Sequence, residues 1–261
     1  LTLTGTVGDP CITTEELPQA VKYVPYGTMI QNNNKYSWNQ VTYSLMSGSL
    51  PAGMEVKPNG EVYGVPAESG EFTFTVRMRN SYSGFSDSTR SYTLSVIENT
   101  SENVEAATDA GYDLNQRIQD VYLHNEDSHT MISQGVFDEF VDLYLDGVKL
   151  TRGTDYDAES GSTRITILAQ TLTRGGNGTH TLGVEFRTQD TDTLKCAAQN
   201  YEVRETDDDD DDNDGNGSSG DDNDGDSDNG DDNNGGNDGS TDGAGNDGSI
   251  DTGAGAVGYD A

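Results

Sequence analysis

The chain has 261 residues, 31% of them hydrophobic, with a formal net charge of -33 at pH 7 and a mean hydropathy of -0.73. That length allows one or two ordinary domains, but so low an apolar share leaves part of the chain without a core. So acidic a chain also lacks the basic patch that would release counterions, which argues against nucleic acid and against contact with an anionic membrane surface. No apolar run approaches the roughly 20 residues that cross a bilayer.

Residues 1–10, "LTLTGTVGDP", read as the last strand and exit of a preceding module. The first long alternation comes later, where Phe72, Phe74, Val76 and Met78 interleave with Thr73, Thr75, Arg77 and Arg79. This is the period of a strand with one buried face, and it excludes a helix. Val41, Tyr43 and Leu45 repeat the pattern, as do Tyr92, Leu94 and Val96. Between them, Asn59-Gly60 is expected to form a tight hairpin turn with positive φ at both central positions, joining "MEVK" to "EVYG". Pro51, Gly53, Pro58, Gly64, Pro66 and Gly70 punctuate the corners.

A family resemblance rests on these residues: an opening strand ending in Pro25-Tyr26, the Tyr43-x-Leu45 strand, Ser49-Leu50-Pro51-Ala52-Gly53-Met54, Asn59-Gly60, Gly64-Val65-Pro66 and the run from Gly70 to Val76. The stretch 11–98 resembles the immunoglobulin-like repeats of bacterial surface proteins, related to the cadherin-like repeats of dystroglycan type. The insert "QNNNKYSWNQ" at 31–40 is more polar than the short glycine-rich turn usual in that family.

Residues 99–117 read as a polar linker. Alternation resumes from about Ile118: Val141, Leu143 and Leu145 share a face, Asp146-Gly147 turns the chain into "VKL", and Ile165/Ile167 and Leu182/Val184/Phe186 mark further strands. Residues 118–204 resemble the X2-like immunoglobulin-fold modules of secreted Gram-positive proteins. The points of contact are Phe137, Phe140, Asp146-Gly147, Asp155-Tyr156, Gly161-Ser162-Thr163 and Gly178-Thr179-His180-Thr181-Leu182. After Arg204 there is no Lys or Arg; Glu205 and nineteen Asp give this segment a charge of -20, leaving -13 for residues 1–204. With one sign of charge and almost nothing to bury, 205–261 is expected to be disordered. The fold class is therefore all-β: two tandem immunoglobulin-like antiparallel sandwiches followed by a disordered acidic tail.

The chemistry-bearing residues are few. Cys11 and Cys196 are too few for a disulfide framework or a zinc site and fall in different modules, so they read as free thiols. His180 opens a strand and reads as structural; His124 and His129, near Glu126 and Asp127, lack the helical spacing of a zinc pair. Asp138-Glu139 and Asp155/Asp157 carry no glycosidase signal in a chain with 47 acids. No catalytic residue, cofactor or metal is assigned. In the tail, Asp210, Asp212, Asp214, Gly215 and Asp221 match the spacing of a calcium loop, as a run of Asp does by chance. Tyr36, Trp38, Tyr82 and Phe85 fall in expected loops and are the candidates for carbohydrate contact. Trp38 keeps two readings there, packing over the sheet end or stacking on a ligand.

The two resemblances imply a non-catalytic extracellular stalk or adhesion region of a bacterial cell-surface or secreted protein, with a polysaccharide or another surface protein as partner. The alternative they imply is the accessory carbohydrate- or wall-binding region of a secreted multidomain hydrolase.

Overall fold

Alternating side chains become strands in the computed structural model, which describes residues 8–124 and 126–205. Residues 1–7, the aspartates at 210, 212, 214 and 221 and the tail from 206 onward lie outside the described residues, and with them most of the first and last sequence readings.

The first module comprises β1 (Ala20–Val21), β2 (Tyr26–Met29), β3 (Val41–Gly48), β4 (Met54–Val56), β5 (Glu61–Gly64), β6 (Gly70–Asn80) and β7 (Ser88–Ile97). A four-stranded sheet in the order β1-β7-β6-β3 packs on a three-stranded sheet in the order β2-β5-β4. Phe74, Val76, Met78, Tyr92, Leu94 and Val96 point inward against Val62, Ile30 and Tyr43. On the other face Thr73 and Thr93, and Thr75 and Ser91, bridge the strands through their hydroxyls at 3.1 and 2.9 Å. Leu45 departs from its expected inward position and is 42% exposed. The pairing of β3 with β6 slips between Leu45 and Ser47, and such a bulge re-aims the side chains beside it.

The Asn59-Gly60 hairpin also differs from expectation. Only Gly60 has positive φ, at 97°, and the turn is closed by Gly60 N–H donating to Lys57 C=O at 2.9 Å. Pro58 holds the first central position, where its ring pins φ negative and forbids a primed turn. At Asp146-Gly147 no proline intervenes, and both residues take positive φ, 48° and 78°.

Residues 99–117, read as a linker, contain the short helix α1 (Ser101–Ala106), capped by the Thr100 hydroxyl accepting from Asn103 N–H at 3.3 Å. They also contain β8 (Leu114–Gln116), the first strand of the second sandwich. Then come β9 (Val121–Tyr122), β10 (His129–Val136), β11 (Phe140–Leu145), β12 (Val148–Lys149), β13 (Tyr156–Glu159), β14 (Ser162–Ile167), the helical turn α2 (Ala169–Leu172), β15 (Gly178–Arg187) and β16 (Leu194–Arg204). The sheets run β13-β14-β10-β8 and β12-β11-β15-β16-β9. Leu143, Ile165, Ile167, Leu182, Val184 and Phe186 fill the space between them. Val141 stands out of this core, 40% exposed, because the β11–β15 register shifts between Phe140 and Asp142. Both modules are thus immunoglobulin-like sandwiches, antiparallel except where β1 joins β7 and β9 joins β16 in parallel. Among the described residues no helix is long and apolar enough to cross a membrane.

The modules are not beads on a string. Positions Thr181 to Phe186 of β15 are buried without alternation, because the face of β15 and β16 turned away from their own core is covered by the first module. Val21 and Val24 meet Leu194, Cys196 and Ala198 there, with Val104 of α1 in the same cluster. A Cβ on Gly183 would lie 2.5 Å from Pro25 Cδ, so only glycine lets the two chains approach this closely.

Candidate functional site

Two loops meet at one end of the first sandwich: residues 30–40, between β2 and β3, and residues 81–87, between β6 and β7. Their meeting follows from the sheet, since Val41 pairs with Asn80 at the last rung of β3 and β6. The loops bring Tyr36, Trp38, Tyr82 and Phe85 into one aromatic cluster. The Trp38 ring centroid lies 5.0 Å from Tyr36, 5.2 Å from Tyr82 and 5.7 Å from Phe85, the last pair inclined by 19°. Phe85 closes the cluster at 5.3 Å from Tyr36 and 5.1 Å from Tyr82. All four residues selected from the sequence therefore come together. Trp38 packs against its three neighbours yet stays 57% exposed, and Tyr82 is 50% exposed.

Asparagine amides hold this cluster in place. Asn39, 2% exposed, donates from Nδ2 to Asn80 Oδ1 at 2.8 Å, and its Oδ1 accepts from Tyr82 N–H at 3.1 Å. Asn34 donates to the Asn39 carbonyl at 2.7 Å, and Asn80 donates to the Ser86 carbonyl at 2.7 Å. Further along, Asn32 donates to the Tyr43 hydroxyl at 2.7 Å. Asn34, Asn39 and Asn80 thereby satisfy loop backbone that strands would otherwise pair, so the loops are fixed without regular structure. The polar stretch 31–40 thus supplies, with Asn80, the scaffold of the cluster.

The second constellation lies in the joint between the modules. Glu61 and Glu185, 4% and 1% exposed, are buried with two cations. Lys57 Nζ is 3.0 Å from Glu61 Oε2, Arg187 Nη2 is 2.9 Å from Glu61 Oε1, and Arg187 Nε is 3.3 Å from Glu185 Oε1. Nη2 reaches Glu61 by distance and charge without an aligned hydrogen bond. Tyr63 of the first module and Tyr144 of the second both donate to Glu185 Oε2, each at 2.9 Å. Burial, with the Glu185 charge adding to it, pushes both phenols above the ordinary tyrosine range. Two positive and two negative charges balance, which is the condition for keeping them out of water. The sequence reading missed this set, and its one local signal is Gly183-Val184-Glu185-Phe186-Arg187, where Glu185 and Arg187 are the charged residues of β15.

His180 Nδ1 is 2.6 Å from Asp146 Oδ2, and its Nε2 is 2.9 Å from the Gly176 carbonyl. Burial alone would lower its pKa, but these partners and the charges of Asp146 and Glu202 raise it. Asp155 accepts from Thr151 N–H and pairs with Arg174, which together hold its carboxyl below the usual range, while Asp157 is exposed. Glu139 accepts from the Tyr112 hydroxyl at 2.7 Å. His124 and Glu126 border an open cleft with Leu168 and Gln170. Among the described residues no three metal-binding side chains converge. Cys11 is exposed and Cys196 buried, both as free thiols, and burial pushes the Cys196 thiol up to about 12.

Residues 9–97 match the family described as "Putative Ig domain", so this stretch is an immunoglobulin-like repeat. No curated protein matches the chain. Among solved structures it is similar to an endo-fucoidan hydrolase of glycoside hydrolase family 107, at 15% identity over 79% of this chain and 30% of that one, TM-score 0.29. It is similar also to the N-terminal four immunoglobulin domains of Dscam1 isoform 7.44, at 10% identity over 76% of this chain and 52% of that one, TM-score 0.27. A third is Drosophila N-cadherin EC1-3, at 13% identity over 76% and 68%, TM-score 0.26. The chain spans less than two thirds of the first two.

Proposed function

We propose that this chain is a non-catalytic stalk and adhesion region of a bacterial cell-surface or secreted protein, acting outside the cell. In this reading the second sandwich is an X2-like module and the acid-rich segment after Arg204 is a spacer. The observation that supports it most is the joint. A stalk must transmit position along its length, and the charge-balanced cluster of Lys57, Glu61, Glu185 and Arg187 beside an apolar patch couples the two sandwiches. Flexible tandem modules have no need to bury such groups between them. The test is antibody labelling and protease shaving of intact cells that make the parent protein, combined with small-angle scattering of the full chain. Surface accessibility and a scattering profile that loses its inter-module order in Arg187→Met agree with the proposal. A chain protected from protease in intact cells sinks it.

The alternative, an accessory carbohydrate- or wall-binding region of a secreted hydrolase, is favoured by one observation, the exposed aromatic cluster. Retention of the full chain on insoluble wall polysaccharide separates it from a plain stalk.

A further inference from the structure

We infer that the aromatic end of the first sandwich is a binding platform for an uncharged polysaccharide, with Trp38 as the ring on which a sugar residue stacks. The inference rests on the reading of this region as adhesive and names its ligand class. Three features carry it. The first is exposure without disorder of contact: four rings lie within 5.0–5.7 Å of one another, and the two most exposed are Trp38 and Tyr82. An exposed aromatic patch costs solvation free energy and marks a place where something docks.

The second is preorganisation. Asn39 and Asn80, both buried, lock the two loops to each other through an amide pair at 2.8 Å, so the rings are in place before a ligand arrives and little entropy is lost on binding. The third is charge. The ten residues 31–40 and the seven residues 80–86 carry a single charge, Lys35, where a chain with 23% charged residues would place about four. The acids that border the loops are exposed but tied to neighbouring groups: Asp9 accepts from Ser86 N–H at 2.9 Å, and Asp87 accepts from Asn80 N–H at 3.4 Å and pairs with Arg77. Within the two loops the other exposed polar side chains are mostly amide and hydroxyl, those of Asn33, Ser37, Gln40, Ser81 and Ser83 among them. That rim matches the hydroxyls of a neutral sugar, while the apolar face of a pyranose ring matches the aromatic face. An acidic glycan would find Lys35 as the one cation of these loops, against the repulsion of a chain with net charge -33.

The experiment is affinity electrophoresis of the full chain in gels containing hydroxyethylcellulose, xylan or galactomannan, or the acidic polygalacturonate, with sedimentation of the chain alone. We expect retardation by at least one neutral polymer, unchanged in about 0.5 M sodium chloride, because no ion pair is involved. Trp38→Ala should weaken it about tenfold or more and Trp38→Tyr less, with each variant unfolding within about 5 °C of the parent. No retardation by any neutral polymer, retardation by polygalacturonate alone, or binding that survives Trp38→Ala overturns the inference. So does concentration-dependent dimerisation abolished by Trp38→Ala, which would make the platform a contact between copies. Surface labelling and the Arg187→Met scattering result do not depend on these gels, so the stalk reading stands or falls separately.

Discussion

Arg187, on β15 of the second sandwich, and Glu61, on β5 of the first, face each other across the joint at 2.9 Å, with Glu185 beside them at 3.3 Å from the same guanidinium. Removing the guanidinium leaves two buried carboxylates with Lys57 as the one countercharge left of this cluster, Glu185 keeping only its two tyrosine hydroxyls. Arg187→Met is therefore expected to cost about 3–5 kcal/mol. Denaturant unfolding of the full chain measures this, and a loss under about 1 kcal/mol would show that the joint is solvated.

Gly183 tests the same joint by shape. An added methyl would stand 2.5 Å from Pro25 Cδ and 3.2 Å from the Tyr23 carbonyl, so Gly183→Ala is expected to push the modules apart at a cost of about 1–3 kcal/mol. Limited proteolysis should then cut faster within 99–117, and an unchanged cleavage rate would argue that the contact is slack.

Within the first core the alternation of β6 makes unequal neighbours. Phe74 is 1% exposed and packs 6.1 Å from the Tyr92 ring centroid, whereas Thr75 reaches out to Ser91. Phe74→Ala should cost about 3–5 kcal/mol and Thr75→Ala less than about 1, both read from chemical denaturation. Similar losses at the two positions would place the strand one residue out of register.

His180 gives a pH signature. Its pKa is raised in the folded chain above the ordinary 6.5, so its contribution is complete below about 6.5 and is lost as pH rises through the folded value. Stability measured across neutral pH should decline more steeply in the parent than in His180→Gln. Parallel curves would mean that Asp146 and Glu202 do not hold the proton.

The thiols should report the fold directly. Ellman's reagent is expected to modify Cys11 in the native chain and both cysteines after unfolding, since Cys196 is 4% exposed and its Sγ lies 2.9 Å from the Ala107 carbonyl. Two fast-reacting thiols in the native chain would show that the joint around Cys196 opens.

Much of this was readable from residues alone, and the physical reason is locality. Period-two alternation at Phe72–Met78 and Tyr92–Val96 states which side of a strand is apolar whatever lies opposite. Asp146-Gly147 states its own turn. Pro58 shows the limit even of local reading, because the turn type at Asn59-Gly60 depends on the residue before it. Leu45 and Val141 were misplaced because a bulge is a property of two strands and leaves no mark in one.

The sequence by itself determined the strands, the all-β class and the four aromatic residues placed in loops, since each follows from neighbours a few positions away. Only the tertiary structure decided that those four rings form one exposed platform, because loops 45 residues apart at Tyr36 and Ser81 are joined by the register of Val41 with Asn80. It also decided that Gly183 and Glu185 face a second domain instead of water. On a strand, a polar outward position looks the same in either setting. What tells them apart is desolvation, which depends on everything that covers the site and on charges more than a hundred positions away in the chain.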